Sequence, residues 1–203
     1  MDIIRQGQIR GLVVYLVSKL VGGHAYVLGS FPRSGTNYFE KAWQQKTGKK
    51  IMVFRLSRYI EALSKQEGFE IISTIREPFS SLVSRTMIYL HEDAQQPIEQ
   101  TIDKSVIDYI NIYKAIINGS HHIIDISKFD HLDYIIDDIT KKENKKIDKN
   151  KINAELDSMK RYSRTFIDHK DYQKISGWVA EYDLTECKDL YWKAYSLSKY
   201  KDL

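Results

Sequence analysis

Short apolar runs alternate along this chain with longer stretches in which apolar residues return every three or four positions. His24 to Ser30 (HAYVLGS), Lys50 to Phe54 (KIMVF), Phe69 to Ile75 (FEIISTI) and His122 to Ile126 (HIIDI) read as buried strands, each brief and bounded by polar or turn-forming residues. Helices are predicted over Thr36 to Gln45, from the second strand through Ser64, from Phe79 to about Leu90, and over Ser105 to Asn118. In the last of these Val106, Ile110, Tyr113 and Ile117 recur at helical spacing. Beyond Asp130 the pattern is mostly helical, with a polar stretch in the middle. The tail from Tyr182 to Tyr200 reads as a closing helix with Tyr191, Trp192 and Tyr195 as its core stripe. Strands alternating with helices imply βαβ units and a parallel sheet covered on both faces. Ligands of such sheets gather at the carboxyl ends of the strands, so the loops opening at Ser30 and Arg76 are where chemistry is expected.

Composition narrows the class without naming a reaction. A chain of 203 residues with 42% hydrophobic and 29% charged residues suits a single folded domain spanning 1–203. The single cysteine, Cys187, excludes an internal disulfide and a Cys-rich zinc site and fits a reducing, cytoplasmic setting. A net charge of +4 suits an anionic ligand but is too small for a nucleic-acid binder without a clustered stripe. Six lysines between Lys141 and Lys151, broken by Glu143 and Asp148, read as a solvated face. The apolar run Gly11 to Val21 is about half of the ~20 residues a membrane span needs, and no convincing cleavage site follows it, so an amphipathic helix packed on the core is expected.

Two loops carry candidate chemistry. In Gly29-Ser30-Phe31-Pro32-Arg33-Ser34-Gly35-Thr36-Asn37 a strand enters and a helix leaves, so free backbone N–H groups and the positive helix end converge. Arg33 adds a planar fork of donors, and Ser34, Thr36 and Asn37 add side-chain donors. This is not a Walker A sequence, because Gly35 runs straight into Thr36 and the cation precedes the glycine. In the second loop, Ile75-Arg76-Glu77-Pro78, Arg76 stands at a strand end, and Ser84 lies two turns into the helix that follows.

Taken together, these loops resemble those of sulfotransferases that use 3′-phosphoadenosine-5′-phosphosulfate. Pro32-Arg33-Ser34-Gly35-Thr36-Asn37-Tyr38 is similar to that family's 5′-phosphosulfate loop, with Asn37 replacing its second threonine. Arg76, Pro78 and Ser84 keep the spacing of its 3′-phosphate motif. The resemblance implies a three-layer P-loop-type α/β fold with about five parallel strands, flanking helices and a helical C-terminal part. It implies that Arg33 contacts the phosphosulfate and stabilises charge on the bridging oxygen, while Pro32, Ser34, Gly35, Thr36 and Asn37 form the 5′-phosphate loop. Tyr38 would stack on the adenine, and Arg76 and Ser84 would grip the 3′-phosphate. The implied activity is transfer of a sulfuryl group to a hydroxyl, or an amine, of a small-molecule or carbohydrate acceptor. Adenosine 3′,5′-bisphosphate is the product and no metal is obligatory, because such transfer relies on positioning and on stabilising leaving-group charge.

The sequence departs from that family at the general base. Where a catalytic histidine follows the second strand in cytosolic members, Phe54-Arg55-Leu56-Ser57-Arg58 stands here, and an arginine is no base. Glu61, Glu40 and His91 are the candidates, each with an ordinary reading as a surface helix residue. His121 and His122 precede the fourth strand and should lie at the end opposite the site. Near the C-terminus Ser176-Gly177-Trp178 only partly matches the family's closing segment, a candidate lid. Arg161, Arg164, Lys170 or Lys174 would have to replace its missing cation. Two further readings stay open: a P-loop kinase of small molecules, and a nucleotide-binding protein of the same fold without catalysis.

Overall fold

The computed structural model describes residues 25–92, 95–142, 145–163 and 169–203. Four strands, β1 (Ala25–Gly29), β2 (Met52–Phe54), β3 (Phe69–Ile75) and β4 (His122–Asp125), form one parallel sheet in the spatial order β2-β1-β3-β4. Helix α1 (Thr36–Thr47) links β1 to β2, and α2 (Ser57–Ser64) links β2 to β3. Helices α3 (Pro78–Glu92) and α4 (Ile98–Gly119) together link β3 to β4. A 3-10 turn (Ile126–His131) then leads into α5 (Leu132–Thr140), α6 (Lys149–Ser163), α7 (His169–Ala180) and α8 (Thr185–Leu197).

Side chains alternate across a strand, which is why each strand here feeds two cores. Val27, Ile71 and Ile123 pack on one face with Ile60, Tyr109, Tyr113, Ile116 and Val179, so α2, α3, α4, α7 and α8 lie on that side. Their neighbours Leu28, Ile72 and Ile124 pack on the other with Phe39, Trp43, Ile135, Ile136 and Ile152, beneath α1, α5 and α6. Burial on both faces explains why the strands read as unbroken apolar runs. Each fully buried aliphatic or aromatic side chain contributes about 1.5–3 kcal/mol. Because all four strands run the same way, Gly29 and Phe54 pair at one rim with Ile75 and Asp125 beside them. Every loop leaving that rim can reach a common ligand.

Two expectations, the strand count and the place of Trp192, are corrected. About five strands were expected, and the described residues form four. The pattern of apolar runs itself offers only four; beyond β4 the apolar residues Leu132, Ile135, Ile136 and Ile139 return at helical spacing and build α5. On α4 the deepest positions are Ile102, Tyr109, Ile112, Tyr113 and Ile116, whereas Val106, Ile110 and Ile117 are only half-buried. On α8, Trp192 is no core residue: it is 60% exposed, edge-on to Tyr191 and Tyr195. The expected helix over Gly11 to Val21 and residue His24 lie outside the described residues. Among those residues, no helix is long and apolar enough to cross a membrane.

Polar ties close the α5 side. Lys46 of α1 is buried, with Nζ 2.9 Å from carboxylate oxygens of both Asp133 and Asp137 on α5. At the chain's end Asp138 pairs with Lys199 and accepts a hydrogen bond of 2.8 Å from the Tyr200 hydroxyl. The Lys199 bond, aided by Tyr200 and Lys141, holds the Asp138 carboxyl down to about 2. An unfolded aspartate titrates near pH 4, roughly, so this tie is complete above that value and is lost as the pH falls toward about 2. Asp138→Asn is therefore expected to flatten the loss of thermal stability between about pH 4 and pH 2. Melting curves of both proteins across that range check it; identical acid limbs would show that Asp138 contributes nothing there.

Candidate functional site

The loop after β1 is tied into the sheet at its first residue. Ser30 is fully buried; its N–H donates to the Phe54 carbonyl at 3.1 Å, and its hydroxyl shares a 2.8 Å hydrogen bond with Thr74 of β3. The loop is thus anchored to the strands on either side of β1. Two residues then take left-handed backbone, Arg33 and Gly35, both with φ of 75°. A non-glycine residue there costs roughly 1–2 kcal/mol, so Arg33 is held in this conformation by its surroundings. Alternation of this kind turns successive N–H groups toward one concavity. Helix α1 begins directly afterwards with no side-chain cap, leaving its first-turn N–H groups for a ligand.

Gly35 is required on two counts. Its φ disfavours a side chain, and a Cβ there would stand 2.6 Å from the Phe129 ring and 2.8 Å from Ile126. The loop is therefore packed directly beneath the turn that follows β4. Gly35→Ala is expected to lower stability by about 2 kcal/mol or more, combining backbone strain with overpacking. A melting temperature equal to that of the unsubstituted protein would contradict this packing.

Three arginines converge on the rim. Nε of Arg33 donates to the Ser84 hydroxyl of α3 at 2.7 Å, joining the first loop to the second. A guanidinium nitrogen of Arg76 donates to the Arg33 carbonyl at 3.3 Å. Arg55, directly after β2, donates to the Asn37 side chain at 3.3 Å. Desolvation, then the charge of Arg76, then that of Arg55, lowers the pKa of Arg33. Among the described residues no carboxylate forms an ion pair with any of the three. The one acid in the second loop, Glu77, instead caps α3, accepting from the Ser80 N–H at 3.0 Å. Crowded like charges without a counter-ion favour an anionic ligand.

Two hydroxyls sharpen the picture. Thr36, at the first position of α1, is 3% exposed, and its Oγ1 has no hydrogen-bond partner. The Ser34 hydroxyl is fully buried and lies within electrostatic reach of the Tyr113 hydroxyl, but makes no hydrogen bond of good geometry. Buried polar atoms left unpaired are rare and costly, and here they sit in the loop that presents free N–H groups. Pro32 is buried behind the loop and Asn37 is exposed on its outer side. Tyr38 stacks on Phe129, with ring centroids 5.5 Å apart and planes at 23°. This pair forms an aromatic surface at the start of α1, over the turn that follows β4.

The remaining candidates stand apart. Glu61 is exposed in the second turn of α2, and Glu40 is half-buried on α1; neither forms an ion pair with the arginines. His91 is exposed in the last turn of α3, seven residues past Ser84 and so about 10 Å further along the helix. At the opposite end of the sheet, His122 pairs with Glu70 at 2.8 Å and His121 accepts from the Ile71 N–H. Among the described residues no three such side chains gather as a metal site. The segment Ser176-Gly177-Trp178 belongs to α7, between the buried Ile175 and Val179; Ser176 and Trp178 are half-buried, Gly177 is exposed, and Lys174 lies over the Trp178 ring. Arg164 and the side chains of Arg161 and Lys170 lie outside the described residues.

Arg55 stands where a base would be sought, and an arginine is no base. A cation directly after a strand was already the signal that singled out Arg76, and it applied equally to Arg55. No family model matches the chain, and no curated protein or solved structure matches it either.

Proposed function

We propose that this rim binds a nucleotide carrying two separated anions, and that the chain is a sulfotransferase using 3′-phosphoadenosine-5′-phosphosulfate. Its acceptor is a hydroxyl, or an amine, of a small molecule or carbohydrate in the cytoplasm. The observation that carries this reading is the joining of the two loops: Arg33 reaches Ser84 and Arg76 reaches Arg33, and among the described residues neither arginine forms an ion pair with a carboxylate. One phosphate alone does not call for two basic loops on adjacent strand ends. A nucleoside bearing phosphate groups on both its 3′ and 5′ oxygens does.

The residues present fit such a donor. The orphaned Thr36 hydroxyl and the uncapped start of α1 supply donors for the 5′-phosphate. Arg76 and Ser84 supply the 3′-phosphate site, and the stacked Tyr38 and Phe129 an edge for the base. When bound, the donor supplies an activated sulfuryl group, whose bond to the 5′-phosphate oxygen breaks as the acceptor oxygen bonds to sulfur. Arg33, with Arg55 beside it, stabilises the negative charge left on that oxygen, the kind of pre-set electrostatic contribution that dominates group transfer. Both strands flanking β1 end in arginines, Arg55 and Arg76, where a magnesium-dependent kinase would want a carboxylate. The reading places no weight on Glu61 or His91 as base. If neither serves, a binding protein without transfer is the second reading, favoured by Arg55 at the base position.

Transfer of labelled sulfuryl from the donor to a broad panel of phenols, alcohols and sugars tests the proposal. Transfer is expected, with Arg33→Ala lowering kcat by about 100-fold or more. Tight donor binding without transfer to any acceptor would favour the second reading. Phosphoryl transfer from ATP with magnesium would overturn both.

A further inference from the structure

Arg76 lies one residue beyond the last paired position of β3, where Ile75 faces Asp125, so the sheet has no partner for its peptide groups. Two tyrosines of α4 supply them. The Tyr113 hydroxyl accepts from the Arg76 N–H at 2.8 Å and donates to the Arg76 carbonyl at 2.7 Å. The Tyr109 hydroxyl donates to the same carbonyl at 3.0 Å. One helical turn apart, the two rings stack with centroids 4.0 Å apart and planes at 14°. Phe31, inside the first anion loop, stands edge-on to Tyr109 at 5.0 Å. The aromatic column therefore touches the first loop and holds the peptide of the second. Both tyrosines are fully buried. Burial pushes both phenols far above their ordinary range, so they remain protonated donors at any working pH.

Phenylalanine would fill these positions equally well if packing were the only requirement. The hydroxyls are committed to the two peptide groups that flank one Cα, that of Arg76, a cation of the site. We propose that Tyr113 and Tyr109 are positioning residues that fix the reach of Arg76, and so set the preference of the site for nucleotides bearing a 3′-phosphate. This rests on the nucleotide reading above. It adds that selectivity between two nucleotides is decided on α4, away from either ligand phosphate.

The test is calorimetric binding of adenosine 3′,5′-bisphosphate and of adenosine 5′-monophosphate to the full chain, as wild type, Tyr113→Phe and Tyr109→Phe. A charge-assisted hydrogen bond to the 3′-phosphate predicts a wild-type preference for the bisphosphate of about 10- to 100-fold. Tyr113→Phe is expected to cut that preference about tenfold while leaving the monophosphate affinity unchanged. Tyr109→Phe, which keeps both Tyr113 bonds, is the milder variant and is expected to show a smaller loss of the same kind. Equal loss of both affinities, or an unchanged preference in both variants, would make the tyrosines merely structural and overturn the proposal while the nucleotide reading stands. A wild type with no preference for the bisphosphate would overturn that reading, and the positioning role with it.

Discussion

Three guanidinium groups share one rim of the sheet, and among the described residues no carboxylate forms an ion pair with any of them. Like charges at this spacing repel, and arginines do not relieve the repulsion by losing protons. Something else must hold them. The parallel sheet does so by ending Gly29, Phe54 and Ile75 at a common edge. The loops leaving that edge are then tied to their neighbours through Ser30, Ser84 and the Arg76 peptide. Two packed cores flank the sheet behind this rim.

Strain is part of the same arrangement. Arg33 is held in left-handed backbone, Gly35 is pressed against Phe129, and the hydroxyls of Ser34 and Thr36 are buried without hydrogen bonds. None of these features favours folding. They lie within four successive residues at a helix start whose first-turn N–H groups are uncapped. An anion placed there would supply acceptors for the N–H groups and hydroxyls and a counter-charge for the arginines. That coincidence separates a binding loop from an ordinary strand-to-helix turn.

Much of this was legible in the chain itself. The four apolar runs marked the strands to within a residue or two, because burial on both faces makes consecutive positions apolar and leaves few polar ones, such as Glu70, Ser73 and Thr74 in β3, to blur them. The two loops were legible because glycine, proline and arginine at a strand end leave few local readings. The rest depended on distant pairings. That Trp192 faces solvent while Tyr109 is buried follows from how α8 and α4 rotate against the sheet, which spacing alone does not determine. Arg55 looked like a lost base because its strand was read without its neighbours; the order β2-β1-β3-β4 sets it beside the Arg33 loop. The tyrosines of α4 looked like core because their rings are core, and only the Arg76 peptide reveals what their hydroxyls do.

The central claim is that the rim takes two anions at once, one in each loop. Phosphorus NMR of adenosine 3′,5′-bisphosphate titrated with the protein reads the two phosphates separately. The account expects both resonances to shift on binding to the wild type, and only the 5′-phosphate resonance to shift with Arg76→Ala. A titration in which neither resonance moves, or in which the 3′-phosphate moves as much with Arg76→Ala as without it, would contradict the account.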